Sequence, residues 1–528
     1  MYPVRRQLPF LTAALLLCMA VLVLFPYCRY YVDPDATAYL TIAKRYAAGD
    51  FARAINGYWS PLACWLTALG IKAGWEAFTA AIMVNTAGAL GFLWISNSFF
   101  RRFGVADMLV WWLHAVLVVF LAVAVYAQSF ADLWQCFLLL AALRIMLSDG
   151  FRSRPALWCV YGVTGALAYF AKAYSFPFFI LNTLCCGFFV MGAQERQNRG
   201  AWLRMCAAAL FVMFLCSSPW IYLLHEKYGS WMTSTAGRLN MSWYLVGHPF
   251  YKDGIAHFLP PAYSDSPYYW EDPYFVNGET PRLWSSWRLF LLQWIKTGYN
   301  FLKLNNVLNH FSAFALPVWL LSLLLLVSAK VRRHFPARVP VVAGSLLLFP
   351  AGFLLINFEP RYIWYTYPLT LLIGALALQH ALLWLDSAAW KRVAVLVFAA
   401  SFAAGPVWDL YPLIGQGKGE YAFAQRLRRM GIKGSFASNA SDTKAQRQMI
   451  RVAYFSGNPY HIAPSGNNCI TMQRLAQELE RSRVKYYFYF PQQRTAAESF
   501  RLMKSDGTPY PRRQVGGVTI FMLRPDAE

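Results

Sequence analysis

Apolar runs about twenty residues long, broken by short polar or basic stretches, recur through the first four fifths of the chain. That length is what crosses a hydrocarbon core as a helix. Runs at roughly 8–27, 77–99, 105–127, 130–147, 156–171, 174–192, 203–224, 302–329, 339–357, 363–384 and 391–411 predict about eleven spans. A twelfth apolar piece, Pro61 to Ile71, is too short to cross comfortably and is expected to be re-entrant or interfacial.

The pattern changes in three places. Between the first two spans, Tyr39, Ile42, Ala43 and Tyr46 share one face of a stretch from Thr37 to Ala48, with Gly49 as its stop. This predicts an amphipathic helix lying on the membrane. A long loop at about 225–301 is rich in Tyr, Trp, Pro and Asp, including Tyr268-Tyr269-Trp270-Glu271-Asp272-Pro273 and Trp284-Ser285-Ser286-Trp287. Aromatic belts explain part of that composition; stacking platforms for a sugar or lipid are the other expectation. From about Gly415 helix-like stretches (to Met430, and Met472 to Arg483) alternate with strand-like ones (Gly434 to Ser438, Val484 to Phe490, Val518 to Leu523). The expected architecture is mainly α: a polytopic transmembrane bundle over 1–414, with loops at 28–76 and 225–301, and a small α/β domain over 415–528.

Composition agrees. The chain is 58% hydrophobic and 17% aromatic, and its 14% charged residues fall well below the quarter usual for soluble domains. The formal charge of +23 does not call for nucleic acid. Much of it sits in short clusters between spans: Arg5-Arg6, Arg101-Arg102, Lys330 to Arg333, Lys391-Arg392. Such clusters mark cytoplasmic loops. They place the N-terminus inside and, with an odd number of spans, the C-terminal domain outside. The first span lacks a small-x-small cleavage pattern and is expected to be retained. Most of the ten cysteines lie in apolar runs; Cys28, Cys64 and Cys469 lie elsewhere, with no spacing that suggests zinc or a staple.

Candidate chemistry begins at Asp33-Pro34-Asp35, just after the first span. Asp33 fits a helix N-cap, with Pro34 in the first turn and Asp35 at the positive helix end. A carboxylate at the membrane edge is also placed to act as general base on an acceptor hydroxyl. Asp132, Lys172 and Arg361 are predicted at the same edge, and each alone is also consistent with snorkelling. Arg361 has the fork geometry suited to phosphate, with Glu359 as a nearby partner. The eight histidines show no metal spacing, and no phosphate-binding loop or dinucleotide fingerprint occurs.

Asp35-x-Thr37-x-Tyr39-x-x-Ile42-Ala43, Gly49-Asp50-Phe51 and Ser60-Pro61-Leu62 together resemble the first external loop of the GT-C glycosyltransferases. The likeness is to the bacterial branch related to protein O-mannosyltransferases and lipid A aminoarabinose transferases. Asp132, the Lys172 station in Tyr169-Phe170-Ala171-Lys172-Ala173-Tyr174, and Asn357-Phe358-Glu359-Pro360-Arg361-Tyr362 agree with later stations of that family. The resemblance implies Asp35 at the catalytic centre with Asp33 adjacent, and Tyr39, Asp132, Lys172, Glu359, Arg361 and Tyr362 around the substrate. One departure stands out: the aminoarabinose transferases have Lys-Pro-Pro-Leu where this chain has Trp59-Ser60-Pro61-Leu62. Lys172 or Arg361 would then meet the lipid phosphate.

The function so implied is transfer of a sugar from a polyprenyl-phosphate donor to a protein, lipid or glycan acceptor outside a bacterial inner membrane. No cofactor is called for; a divalent metal held by loop carboxylates stays open, as in some GT-C enzymes. The rival class is a transporter or lipid flippase, which calls for mid-membrane charges, paired broken helices and internal repeats. A non-catalytic scaffold presenting the C-terminal domain is a third reading, and it leaves the Asp, Lys and Arg stations without a role.

Overall fold

The computed structural model describes residues 2–127, 130–151, 153–190, 199–247, 258–275, 280–440, 442–463, 472–491, 500–504 and 506–524. The chain has a polytopic membrane fold, mostly helical, with one small sheet. Among the described residues, six helices are long and apolar enough to cross a membrane: Gln7–Cys28, Ala77–Arg102, Asp107–Tyr126, Trp202–Tyr228, Thr366–Trp384 and the run opening at Ala388. Shorter apolar helices, Pro155–Ala171, Ser175–Cys186 and Val339–Leu355, occupy predicted spans, and Asp132–Met146 fills another.

The stretch expected to cross at 302–329 is not one rod. Helices Trp287–Phe311 and Ala315–Val327 meet at an angle of 115°. Ser312 leaves the first helix in extended geometry and its hydroxyl is shared with Ser401 at 2.8 Å. Pro317, in the next helix's first turn, supplies no backbone N–H to continue the earlier ladder. The first of these helices also begins at Trp287, within the predicted loop, where the Ser286 hydroxyl accepts from Leu289 N at 3.2 Å.

The helix Pro34–Ala48 forms for the reasons its sequence gives. Asp33 accepts from Ala36 N at 2.7 Å, Pro34 opens the first turn, and Gly49 closes it at φ +81°. It does not lie on a membrane surface. Ala36 to Ala43, with Arg45 and Tyr46, are all buried, so most of its polar face is covered too, with Lys44 left exposed. Helix Pro61–Lys72 and the edge of Ala77–Arg102 pack on one side. The 3₁₀ turn Tyr269–Glu271 and helix Thr443–Ser456 pack on the others.

The C-terminal unit holds β1 (Phe436–Ser438), β2 (Tyr460–His461), β3 (Tyr486–Tyr489), β4 (Arg512–Val515) and β5 (Val518–Met522). Their order is β2-β1-β3-β5-β4, with β1 parallel to its neighbours and β3, β5 and β4 antiparallel. Helices Lys418–Arg429 and Thr443–Ser456 cover the sheet, and their side chains share its core with Phe436, Phe488 and Ile520. That core is not closed by the tail alone. Tyr268 and Tyr269 of the long loop are built into it, 2% and 4% exposed. These two aromatics are packing, not open stacking platforms. Leu259 pairs with Ile462 and Tyr460 N donates to Pro267 O at 2.8 Å, so the loop adds an outer rung beside β2. Cys469 lies outside the described residues, and the nine described cysteines are free.

Candidate active site

Four separated segments meet over one cavity of about 390 Å³. Helix Pro34–Ala48 supplies Asp35 and Tyr39, the following loop Tyr58 to Ser60, the helix break after Ala171 supplies Lys172, and the turn Pro360–Ile363 supplies Arg361 and Tyr362. Each side chain is placed by a local backbone event. Lys172 leaves its helix in extended geometry, its N–H still bonded to Ala168 O at 2.9 Å, and the next residue's N–H is caught by the Ser60 hydroxyl at 2.9 Å. Pro360 opens a 3₁₀ turn that directs Arg361 inward.

Arg361 is the hub. Its Nη2 donates to Asp35 Oδ2 at 2.5 Å and its Nε to Glu359 Oε2 at 2.7 Å, while Asp132 Oδ2 lies 4.0 Å from Nε. Lys172 donates to Asp132 Oδ1. Asp132 is 1% exposed and sits behind the cavity wall, where its second oxygen accepts no hydrogen bond from the described residues. The Lys172 ammonium also rests 4.4 Å from the centre of the Tyr362 ring, which stacks on Phe353. Such a cation over an aromatic face is stabilised as it loses water.

All eight residues singled out from the sequence are in this region, in different roles. Asp35, Tyr39, Lys172, Arg361 and Tyr362 line the cavity. Glu359 and Asp132 hold the two cations from the side and from behind. Asp33 is outside the lining and caps the helix. Burial, and next the neighbouring Asp35 charge, push its carboxyl up to about 7. Among the described residues, no group of three or more His, Cys, Asp or Glu side chains is placed to hold a metal ion.

Trp59, of the Trp59-Ser60-Pro61-Leu62 stretch, also lines the cavity, its indole N–H spent on Trp270 O at 2.8 Å. Other lining residues carry no sequence signal. Arg238, at the start of helix Ala236–Val246, reaches the cavity while donating to Thr280 Oγ1 at 3.0 Å. Tyr58 donates to Asn240 at 2.8 Å. These contacts come from a loop whose course is set by tertiary packing, with no motif to announce them.

A second polar cluster fixes the helix that carries Asp35. Arg45, 5% exposed, pairs with Glu271, with Asp265 at 2.9 Å and with Asp50 at 3.2 Å. Asn56 donates to Glu271 O at 2.6 Å, and Tyr268 reaches Pro34 O at 2.7 Å. Lys227 pairs with Asp272 at 3.0 Å. The long loop therefore clasps the first loop from above.

Comparison with known structures bears on this arrangement. ArnT from Cupriavidus metallidurans bound to undecaprenyl phosphate superposes with a TM-score of 0.53 at 12% identity, over 97% of this chain and 98% of that one. The apo form of ArnT superposes at 0.55 and 14% identity, over 96% and 97%. The chain has the polytopic membrane fold of ArnT. No protein-family model matches it and no curated protein does. The likeness runs through nearly the whole of both chains, so the C-terminal unit belongs to the shared architecture.

Proposed function

We propose that this protein is a membrane glycosyltransferase that moves a sugar from a polyprenyl-phosphate donor to an acceptor hydroxyl with inversion. The observation that carries the proposal is the convergence of Asp35, Lys172 and Arg361 on one cavity that Trp59, Tyr39 and Tyr362 wall with aromatic rings. A neighbour of the same fold is bound to undecaprenyl phosphate.

Arg361 couples donor binding to base release. With the cavity free of donor it covers Asp35 and Glu359 together. A donor phosphate competes for the guanidinium fork, with Lys172 beside it and Arg238, which has no carboxylate partner among the described residues, at the same cavity. Asp35 is then uncovered to accept the acceptor's proton. The acceptor oxygen bonds to the anomeric carbon as the anomeric carbon–phosphate oxygen bond breaks, and the electron pair leaves on the polyprenyl phosphate. Fixed cations in a poorly hydrated site stabilise that developing charge strongly. The cavity and the C-terminal unit face the extracytoplasmic side in this reading, with the chain in a bacterial inner membrane and its N-terminus cytoplasmic.

Two measurements test it. Mass spectrometry of cell-envelope glycans, with and without the protein, should show a sugar that depends on it and is missing with Asp35→Asn. Purified protein should bind undecaprenyl phosphate, and Arg361→Gln should weaken that binding by about tenfold, the worth of one charge-assisted contact. Undiminished transfer by inserted Asp35→Asn removes the base; unchanged binding by Arg361→Gln removes the phosphate clamp.

A further inference from the structure

A second cavity, about 310 Å³, lies on the far side of the Asp35 helix. Asp35 and Lys44 are nine positions apart, which in an α-helix is half a revolution and about 13 Å of rise. What Lys44 faces is therefore separate from what Asp35 faces. Lys44, Arg29 from the end of the first membrane helix and Arg428 from helix Lys418–Arg429 all line this second cavity, with Glu76 as its one carboxylate. Glu76 is already engaged: it caps helix Ala77–Arg102, accepting from Thr79 N at 3.0 Å and Thr79 Oγ1 at 3.3 Å. Arg428 donates to Ser456 O at 3.2 Å, which leaves its charge uncompensated.

The walls are aromatic. The Lys44 ammonium lies 4.5 Å from the centre of the Tyr454 ring, Arg29 stacks 5.2 Å from Tyr30, and Tyr30 meets Tyr421 at 4.8 Å. Desolvation by the surrounding protein holds Lys44 below the usual lysine value; Glu76 offsets part of that and Arg428 adds to it. Three cations from three elements face one carboxylate here, an excess of positive charge that an anion relieves. The helices that line the site say which anion. Phe25 and Phe78, which line it, belong to helices long and apolar enough to cross a membrane. Leu22, about one turn before Phe25 on the same helix, is 72% exposed, so apolar surface of the first membrane helix lies open beside the cavity.

We propose that the cavity bounded by Arg29, Lys44 and Arg428 binds the phosphate head group of an anionic phospholipid, which ties the first membrane helix, the Asp35 helix and the C-terminal unit together. The site cannot serve as the acceptor pocket of the transfer reaction, because the Asp35 helix stands between them. It is independent of the transferase reading.

The test uses full-length protein in nanodiscs, with lipid retention read by native mass spectrometry. Dioleoyl-phosphatidylglycerol should be retained over dioleoyl-phosphatidylcholine, and inorganic phosphate should not displace it. Arg29→Gln, Lys44→Gln and Arg428→Gln should each weaken retention by about tenfold; Arg361→Gln should leave it unchanged while affecting undecaprenyl phosphate. Should one variant fail to fold, the other two carry the same readout. Equal retention of the two lipids, displacement by inorganic phosphate, or wild-type retention by all three variants overturns the proposal.

Discussion

At Asp33 and Asp35, two carboxylates two residues apart, the protein separates a structural task from a chemical one. Asp33 spends Oδ1 on the helix cap; Asp35 faces the cavity and Arg361. The pH behaviour of Asp33 follows from its raised carboxyl. A carboxyl whose folded value is about 7, against about 3.9 unfolded, binds more protons in the folded state across that interval. Its contribution to stability is therefore present below the unfolded value and lost as pH rises through the folded one. Asn also caps helices well. Asp33→Asn should thus keep the helix while flattening the fall in melting temperature between pH 4 and 7, read by thermal unfolding in detergent across that range. A profile identical to wild type would mean the Asp33 charge is not felt. At Asp35 the expected loss is of activity, not stability: Asp35→Asn keeps a hydrogen-bonding partner for Arg361 and removes the proton acceptor. The Asp33/Asp35 motif was legible in the sequence, because capping chemistry and the first-loop resemblance are both local. The Arg361–Asp35 contact was not, since 326 positions separate its partners.

Among the elements, the Asp35 helix shows how far periodicity carries. Its start, stop and apolar face could be read from Asp33, Gly49 and the Tyr39–Ile42–Ala43–Tyr46 spacing. Its surroundings could not. Polar residues on the opposite face suggested solvent or head groups, yet Arg45 is buried because Glu271 and Asp265, more than two hundred residues away, neutralise it. Burial holds the Glu271 carboxyl above its ordinary range even with Arg45 attached, so the pair depends on both partners being present. Arg45→Ala, which strands Glu271, should cost about 3–5 kcal/mol, whereas Arg45→Met with Glu271→Leu should cost clearly less. Thermal unfolding of the single and double variants checks this; equal losses would show that the helix is not held by the clasp. The bend at residues 312–314 has a related lesson. A continuous apolar run measures what membrane tolerates, and nothing in it marks where Ser312 and Pro317 divide it.

Across the whole molecule, the bundle, the long loop and the C-terminal unit are interlocked. Composition separated the tail from the bundle correctly in kind, but the tail's core includes Tyr268 and Tyr269 from the loop, and the same loop clasps the helix that carries Asp35. Arg451 extends the link, donating to Val32 O at 2.9 Å and pairing with Glu420 at 2.8 Å. The closest approach is at Gly417, with φ +84°, where an added Cβ would sit 1.9 Å from Tyr30 O. Backbone against backbone cannot yield as a side-chain tip does. Gly417→Ala should therefore lift the C-terminal unit off the end of the first helix without altering any residue of the cavity. The consequence propagates through the loop to Asp35, so transfer should fall by about tenfold or more, as sub-ångström misplacement of a catalytic group does. Limited proteolysis should cut near residue 415 faster in the variant, and the two effects should appear together. Rapid cutting with full activity would show that the unit is a passenger; lost activity with wild-type protease resistance would place the damage elsewhere than in docking.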